Sequence, residues 1–150
     1  MTTNAYTRPG YRTVTAGINL KAPEEFIAWA GSALGATPGM RVEGPDGKVM
    51  HAEVTIGDTI VALDRAVRDA PTSGAMFHVY VADADAAFAR AVEAGATSKM
   101  PPMDMFWGER VGAVTDPFGN GWGFATFQRE VSPEEMKAGA EAFAKRMANS

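Results

Sequence analysis

His51 and His78 are the only imidazoles in the chain, and both sit in stretches whose alternating character leaves one face free for chemistry. Imidazole titrates near neutral pH, so a suitably held ring can give or take a proton under ordinary conditions. From Met50 to Ile56 the residues Met50, Ala52, Val54 and Ile56 fall on one face, and His51, Glu53 and Thr55 on the other. A carboxylate two residues on can orient the ring and raise its pKa, which makes His51, Glu53 and His78 the candidate catalytic set. His78 shares its face with Met76 and Tyr80, opposite Phe77, Val79 and Val81. The same pattern also suits a plain arrangement, with His51 and Glu53 as a hydrogen-bonded pair on a wet sheet face and His78 as a lone satisfied ring. That arrangement is the favoured one.

The segment Met103 to Arg110 (MDMFWGER) sets Phe106, Trp107 and two methionines beside Asp104, Glu109 and Arg110. Thioethers and aromatic rings make adaptable walls for flat ligands, and a guanidinium supplies oriented donors. Met103, Phe106, Trp107 and Arg110 are therefore candidate ligand contacts, together with Tyr80. Packing of Phe106 and Trp107 at a seam between halves or subunits is the equal alternative. Trp29 and Trp122 fall on apolar faces and are expected in the core. Gly121 and Gly123 lie in a strand with no helix start behind them, so they are no phosphate loop.

The elements that must position these residues repeat. Thr13 to Leu20 alternates as a half-buried strand, with Thr15, Gly17 and Asn19 opposite the apolar side, and Ala22 to Leu34 changes to helical period and stops at Gly35. Strands follow over Met40 to Glu43, Val49 to Ile56 and Thr59 to Leu63, with turns at Pro45-Asp46-Gly47 and Gly57-Asp58. The residues from Arg65 to Gly74 read as a joining loop. Then the grammar returns: strand Met76 to Val81, helix Asp85 to Ala94 stopped by Gly95, an irregular Lys99 to Trp107 holding Pro101 and Pro102, strand Arg110 to Thr115, a turn, and strand Trp122 to Phe127. One βαβββ unit used twice, about 11–66 and 75–128, predicts an α+β fold in which two modules form a cupped mixed sheet around a cavity, with helices outside. Ser132-Pro133-Glu134-Glu135 opens an extra C-terminal helix, about 132–148, whose stripe of Met136, Ala140, Phe143 and Met147 should dock on the body or on a second subunit.

This doubled pattern, with Pro45-Asp46-Gly47, His51-Ala52-Glu53, Gly57-Asp58, Gly108-Glu109-Arg110 and Asp116-Pro117-Phe118-Gly119-Asn120-Gly121-Trp122, resembles the glyoxalase, bleomycin resistance and dioxygenase (vicinal oxygen chelate) superfamily, in particular its PhnB-like branch. The resemblance covers roughly residues 11 to 140. It implies a divalent ion held by four His or Glu ligands in those members that do chemistry. Counted along the repeats, the four positions fall at Thr15, Ala62, Met76 and Gly123, whose side chains offer one hydroxyl, one thioether, a methyl and nothing. The expectation is no metal and no other cofactor. Related sequences often carry His where Asn120 stands, which removes one more possible ligand.

Composition narrows the field further. The 150 residues are 46% hydrophobic, enough for one domain to fold without staples. No cysteine is present, which excludes disulfides and thiolate chemistry. A net charge of −4 without a basic block argues against nucleic acid as a partner. The polar start and the lack of a long apolar run point to a cytoplasmic protein without a membrane partner. The expected function is binding of an apolar or aromatic small molecule in the cup, with Thr15, Gly17, Asn19 and Gly123 among the contacts and a homodimer as the working form. The alternative is an enzyme of the same fold, a lyase, isomerase or dioxygenase, working through His51, Glu53 and His78 with or without an atypical metal. An interaction module working through the C-terminal helix has no motif behind it.

Overall fold

The computed structural model describes residues 6, 8–66 and 74–149. Within them the first half runs β1 (Ala16–Leu20), α1 (Pro23–Leu34), β2 (Thr37–Glu43), β3 (Val49–Ile56) and β4 (Thr59–Arg65). The second runs β5 (Met76–Tyr80), α2 (Ala84–Glu93), β6 (Thr97–Asp104), β7 (Glu109–Thr115) and β8 (Gly121–Phe127), and α3 (Pro133–Ala148) closes the chain. Most of the loop expected over 65–74 lies outside the described residues.

Each half builds a four-stranded mixed sheet with the same topology, β1-β4-β3-β2 and β5-β8-β7-β6, in which the outer first strand runs parallel to the last. The fold is therefore α+β with two βαβββ units. Local chemistry accounts for the helices. Pro23 opens α1 with Glu24 and Glu25 in its first turn, and Gly35 ends it in the left-handed region at φ 65°. Asp83 caps α2 by accepting from the Ala86 amide, and Ser132 caps α3 by accepting from the Glu135 amide.

The two helix-side sheet faces share one core. Ile18, Leu20, Val54 and Leu63 from the first sheet meet Val114, Trp122 and Phe124 from the second, with Phe26, Trp29 and Ala91 of the helices between them. Trp122 stacks on Phe77 at 4.5 Å and lies 6.0 Å from Trp29, and such aromatic pairs each add about 1 kcal/mol beyond their buried area. Arg90 of α2 donates to the Ser32 carbonyl at the end of α1. Arg65 ties β4 to α1 by gripping both carboxylate oxygens of Glu24 at 2.7 and 2.8 Å.

Three local expectations change. Lys99 to Trp107 is not irregular throughout, because β6 runs through Pro101 and Pro102. It is an edge strand, and the ladder to β7 shifts register between Ser98 and Met103, so no bond is lost to the missing proline N–H. Thr13 to Thr15 lies outside β1, whose ladder opens at Ala16 opposite Val61, and Val14 is exposed. Met50 leaves the apolar face of β3, because the register slips between Val42 and Glu43 and turns its side chain outward.

Candidate functional site

The face of the second sheet that points away from the shared core bears an apolar hollow of about 670 Å³, within the range of small-molecule pockets. Its floor is small because alternation sets Gly123 of β8 and Ala113 of β7 toward it, with Val111 beside them. Met76 and His78 of β5 form one side, and Met100, Met103, Met105 and Trp107 of β6 and the following turn form another. The last wall is α3, which contributes Phe143, Arg146 and Met147.

Helix α3 is held there by Phe143, which packs against the cluster of Met105, Val111 and Ala125, and by the Arg129–Glu135 ion pair in its first turn. Phe106 packs on Phe143 at 5.8 Å between ring centroids, and a Cβ placed on Gly139 would stand 2.6 Å from the Cβ of Phe106. Glycine at this helical turn is what lets α3 come so close.

Beside the cavity lies a buried carboxylate that organises its polar edge. Glu109, 8% exposed, accepts from the Tyr80 hydroxyl at 2.6 Å, the Trp107 indole N–H at 2.8 Å and His78 Nε2 at 3.2 Å. Burial pushes its carboxyl up, but the Tyr80 and Trp107 bonds and the imidazole outweigh burial and hold it below the usual glutamate value. The same bond pushes the Tyr80 hydroxyl up. A carboxylate can only accept, so His78 carries its proton on Nε2, and its Nδ1 lies over Gly123.

The second titratable cluster belongs to the other sheet. His51 Nδ1 lies 2.8 Å from Asp64 Oδ1, while its Nε2 is 3.7 Å from Glu53. Asp64 sits directly opposite on β4 and, more than Glu53, raises the pKa of the ring against the opposing effect of burial. Glu53 is engaged by the Tyr11 hydroxyl.

The expected site residues thus separate. Met103, Trp107, Gly123 and His78 line one cavity, and Tyr80 joins them through Glu109. Phe106 stands behind the wall, holding α3. Arg110 points to the opposite face of β7, where it clamps Asp85 at 2.6 Å and Asp104 at 3.2 Å. His51 and Glu53 lie on the first sheet, as do Gly17 and Asn19 on exposed β1, with Thr15 just before it. Glu109 as the hub and Asp64 as the partner of His51 are the residues that sequence reasoning passed over.

The ladder also tests the donor set for a metal. Gly123 pairs with His78, and Ala62 pairs with Gly17, so the neighbours across the parallel ladders add one imidazole to positions otherwise without donors. Among the described residues no group of three or more His, Cys, Asp or Glu side chains is placed to hold an ion. These residues do not fit the four-ligand site the resemblance implies.

Comparison with known proteins agrees with this architecture. The family model described as the Glyoxalase/Bleomycin resistance protein/Dioxygenase superfamily matches residues 13–124. An uncharacterized protein of Mycobacterium bovis is 40% identical over 109 residues, spanning 65% of this chain and 72% of its own length. One of Mycobacterium tuberculosis is 40% identical over 109 residues, and the match spans 64% of that relative's length. Among solved structures, TioX from Micromonospora sp. ML1 superposes with a TM-score of 0.63 at 26% identity, covering 75% of this chain and 98% of TioX. A PhnB protein from Bacillus cereus shares the fold, with a TM-score of 0.63 at 13% identity, covering 77% of this chain and 99% of that protein.

Proposed function

The chain belongs to the glyoxalase/bleomycin resistance protein/dioxygenase superfamily, and from that premise we propose that it binds a small apolar or aromatic compound in the cavity of its second sheet. The observation that carries this reading is the cavity itself: about 670 Å³, walled by methionines and Trp107, floored by Gly123, and edged by an imidazole fixed on Glu109. Methionine side chains adapt to the outline of a flat guest, and a glycine floor leaves it depth. Calorimetry and Trp107 fluorescence against a panel of flat aromatic compounds test it. Binding should be saturable and weakened by Gly123→Val, which fills the floor; uniform absence of binding defeats the proposal.

The working form we propose is a cytoplasmic homodimer. Among the described residues most of β2 and of α3 is exposed, and no helix is long and apolar enough to cross a membrane. Mass in solution before and after removal of residues 132–150 tests the assembly and the part α3 plays in it.

One observation favours turnover as a second reading: Asp64 orients His51 as a general acid or base is usually oriented. His51 and Glu53 are on the first sheet and His78 is on the second, so a catalytic set joining them would need a substrate that reaches both. Product formation lost in both His51→Gln and His78→Gln would establish this reading over capture alone.

A further inference from the structure

We propose that the compound held in the second-sheet cavity carries an anionic oxygen group at one end of a flat apolar body, and that Lys99 and Arg146 receive that group. The inference rests on the cavity reading above and adds the charge of the guest. Most of the lining is apolar, yet two of its side chains are cations: Lys99 on β6 and Arg146 on the last turn of α3. Neither forms an ion pair among the described residues, although the chain as a whole carries more acidic than basic groups, whereas Arg110 and Arg129 of the same half are both paired. Lys99 and Arg146 come from different elements and meet at the rim of one hollow.

The Glu109 carboxylate beside the cavity does not answer them. Glu109 is already engaged by Tyr80, Trp107 and His78, three donors that surround its oxygens. A neutral guest would leave two unpaired cations at the rim, and a cationic guest would be repelled by them. An anion gains from both, and a guanidinium binds a carboxylate or phosphate with two parallel bonds.

Titration calorimetry with matched probes tests this: 2-naphthoate, 2-naphthyl phosphate, neutral 2-methylnaphthalene and cationic 2-naphthylmethylammonium. Both anions should bind tighter than the neutral probe by about fivefold, the order expected from two solvent-reached charge pairs. The preference should shrink with added salt. The double variant Lys99→Ala with Arg146→Ala should lose the preference, and Arg146→Lys should keep most of it. The ratio of naphthoate to naphthyl phosphate tells which oxyanion the rim prefers. If 2-methylnaphthalene binds as tightly as the anions, the charge assignment falls and the cavity reading stands. If no probe binds, both fall.

Discussion

Trp107 donates its indole N–H to Glu109 at 2.8 Å, so a ring that walls the cavity is aimed by a carboxylate two residues further along the chain. Replacing Glu109 with Gln puts an amide among donors that need an acceptor. Such a loss costs about 2 kcal/mol where the polar groups are buried. Urea unfolding should show a lower midpoint for Glu109→Gln, and Trp107 emission should shift to the red as the ring loosens.

The pH dependence of this contact has a fixed sign. Glu109 titrates lower folded than unfolded, so its stabilising effect is complete above the ordinary glutamate value of about 4.3 and is lost as pH falls through the lowered folded value. Thermal midpoints measured from pH 6 down to pH 3 should fall less steeply in Glu109→Gln than in the parent. Equal slopes would mean that folding does not lower the pKa of this carboxylate.

His51 behaves in the opposite sense. Its folded pKa is raised, chiefly by the bond to Asp64, so the pair stabilises fully below about pH 6.5 and loses its effect as pH rises through the folded value. Asp64→Asn should bring the ring's titration down when followed by NMR. An unchanged titration in that variant would return the role of orienter to Glu53.

These two pairs show what could be read without coordinates. The two-residue turn at Gly57-Asp58 joins Ile56 to Thr59, and counting outward from it sets His51 opposite Asp64, so that contact was within reach of the sequence. Apolar alternation alone ends the fourth strand at Leu63, before its polar last residues, and so leaves this pair out. Glu109 is different: its donors come from β5 and from the turn before β7, and no local spacing reveals that meeting. The doubled βαβββ order was legible because apolar alternation and helix stops repeat 60 residues apart. The course of β6 was not, since two prolines hide a strand that sits at a sheet edge.

Gly139 offers a test with an unusual sign. Glycine to alanine inside an exposed helix ordinarily stabilises by about 1 kcal/mol. Here the added methyl would enter the space of Phe106, which packs on Phe143 of α3. Gly139→Ala should therefore speed amide exchange across residues 133–148 and weaken binding of any guest that touches Phe143 or Arg146. Slower exchange would show that α3 is not held where the cavity needs it.

Asp116 shows why the turn that carries the resemblance is built as it is. Its carboxylate, 4% exposed, accepts from the backbone amides of Phe118 and Asn120, the Asn120 side-chain amide and the Trp122 indole, all between 2.8 and 2.9 Å. Asn120, fully buried, passes the restraint on to β5 by accepting from the Ala75 amide. Asparagine at 120 thus serves the core, whatever it removes from a rim. Alanine at position 116 would strand four donors, two of them on side chains buried in the core, and should cost about 3 kcal/mol or more. The exposed Arg129–Glu135 pair gives the contrast, since breaking a surface pair of this kind costs under about 1 kcal/mol. Urea unfolding of Asp116→Ala beside Glu135→Ala measures the difference, with near-ultraviolet dichroism of Trp122 reporting whether the turn survives. Equal small losses in the two would show that the turn, and not its carboxylate, holds Trp122 in the core.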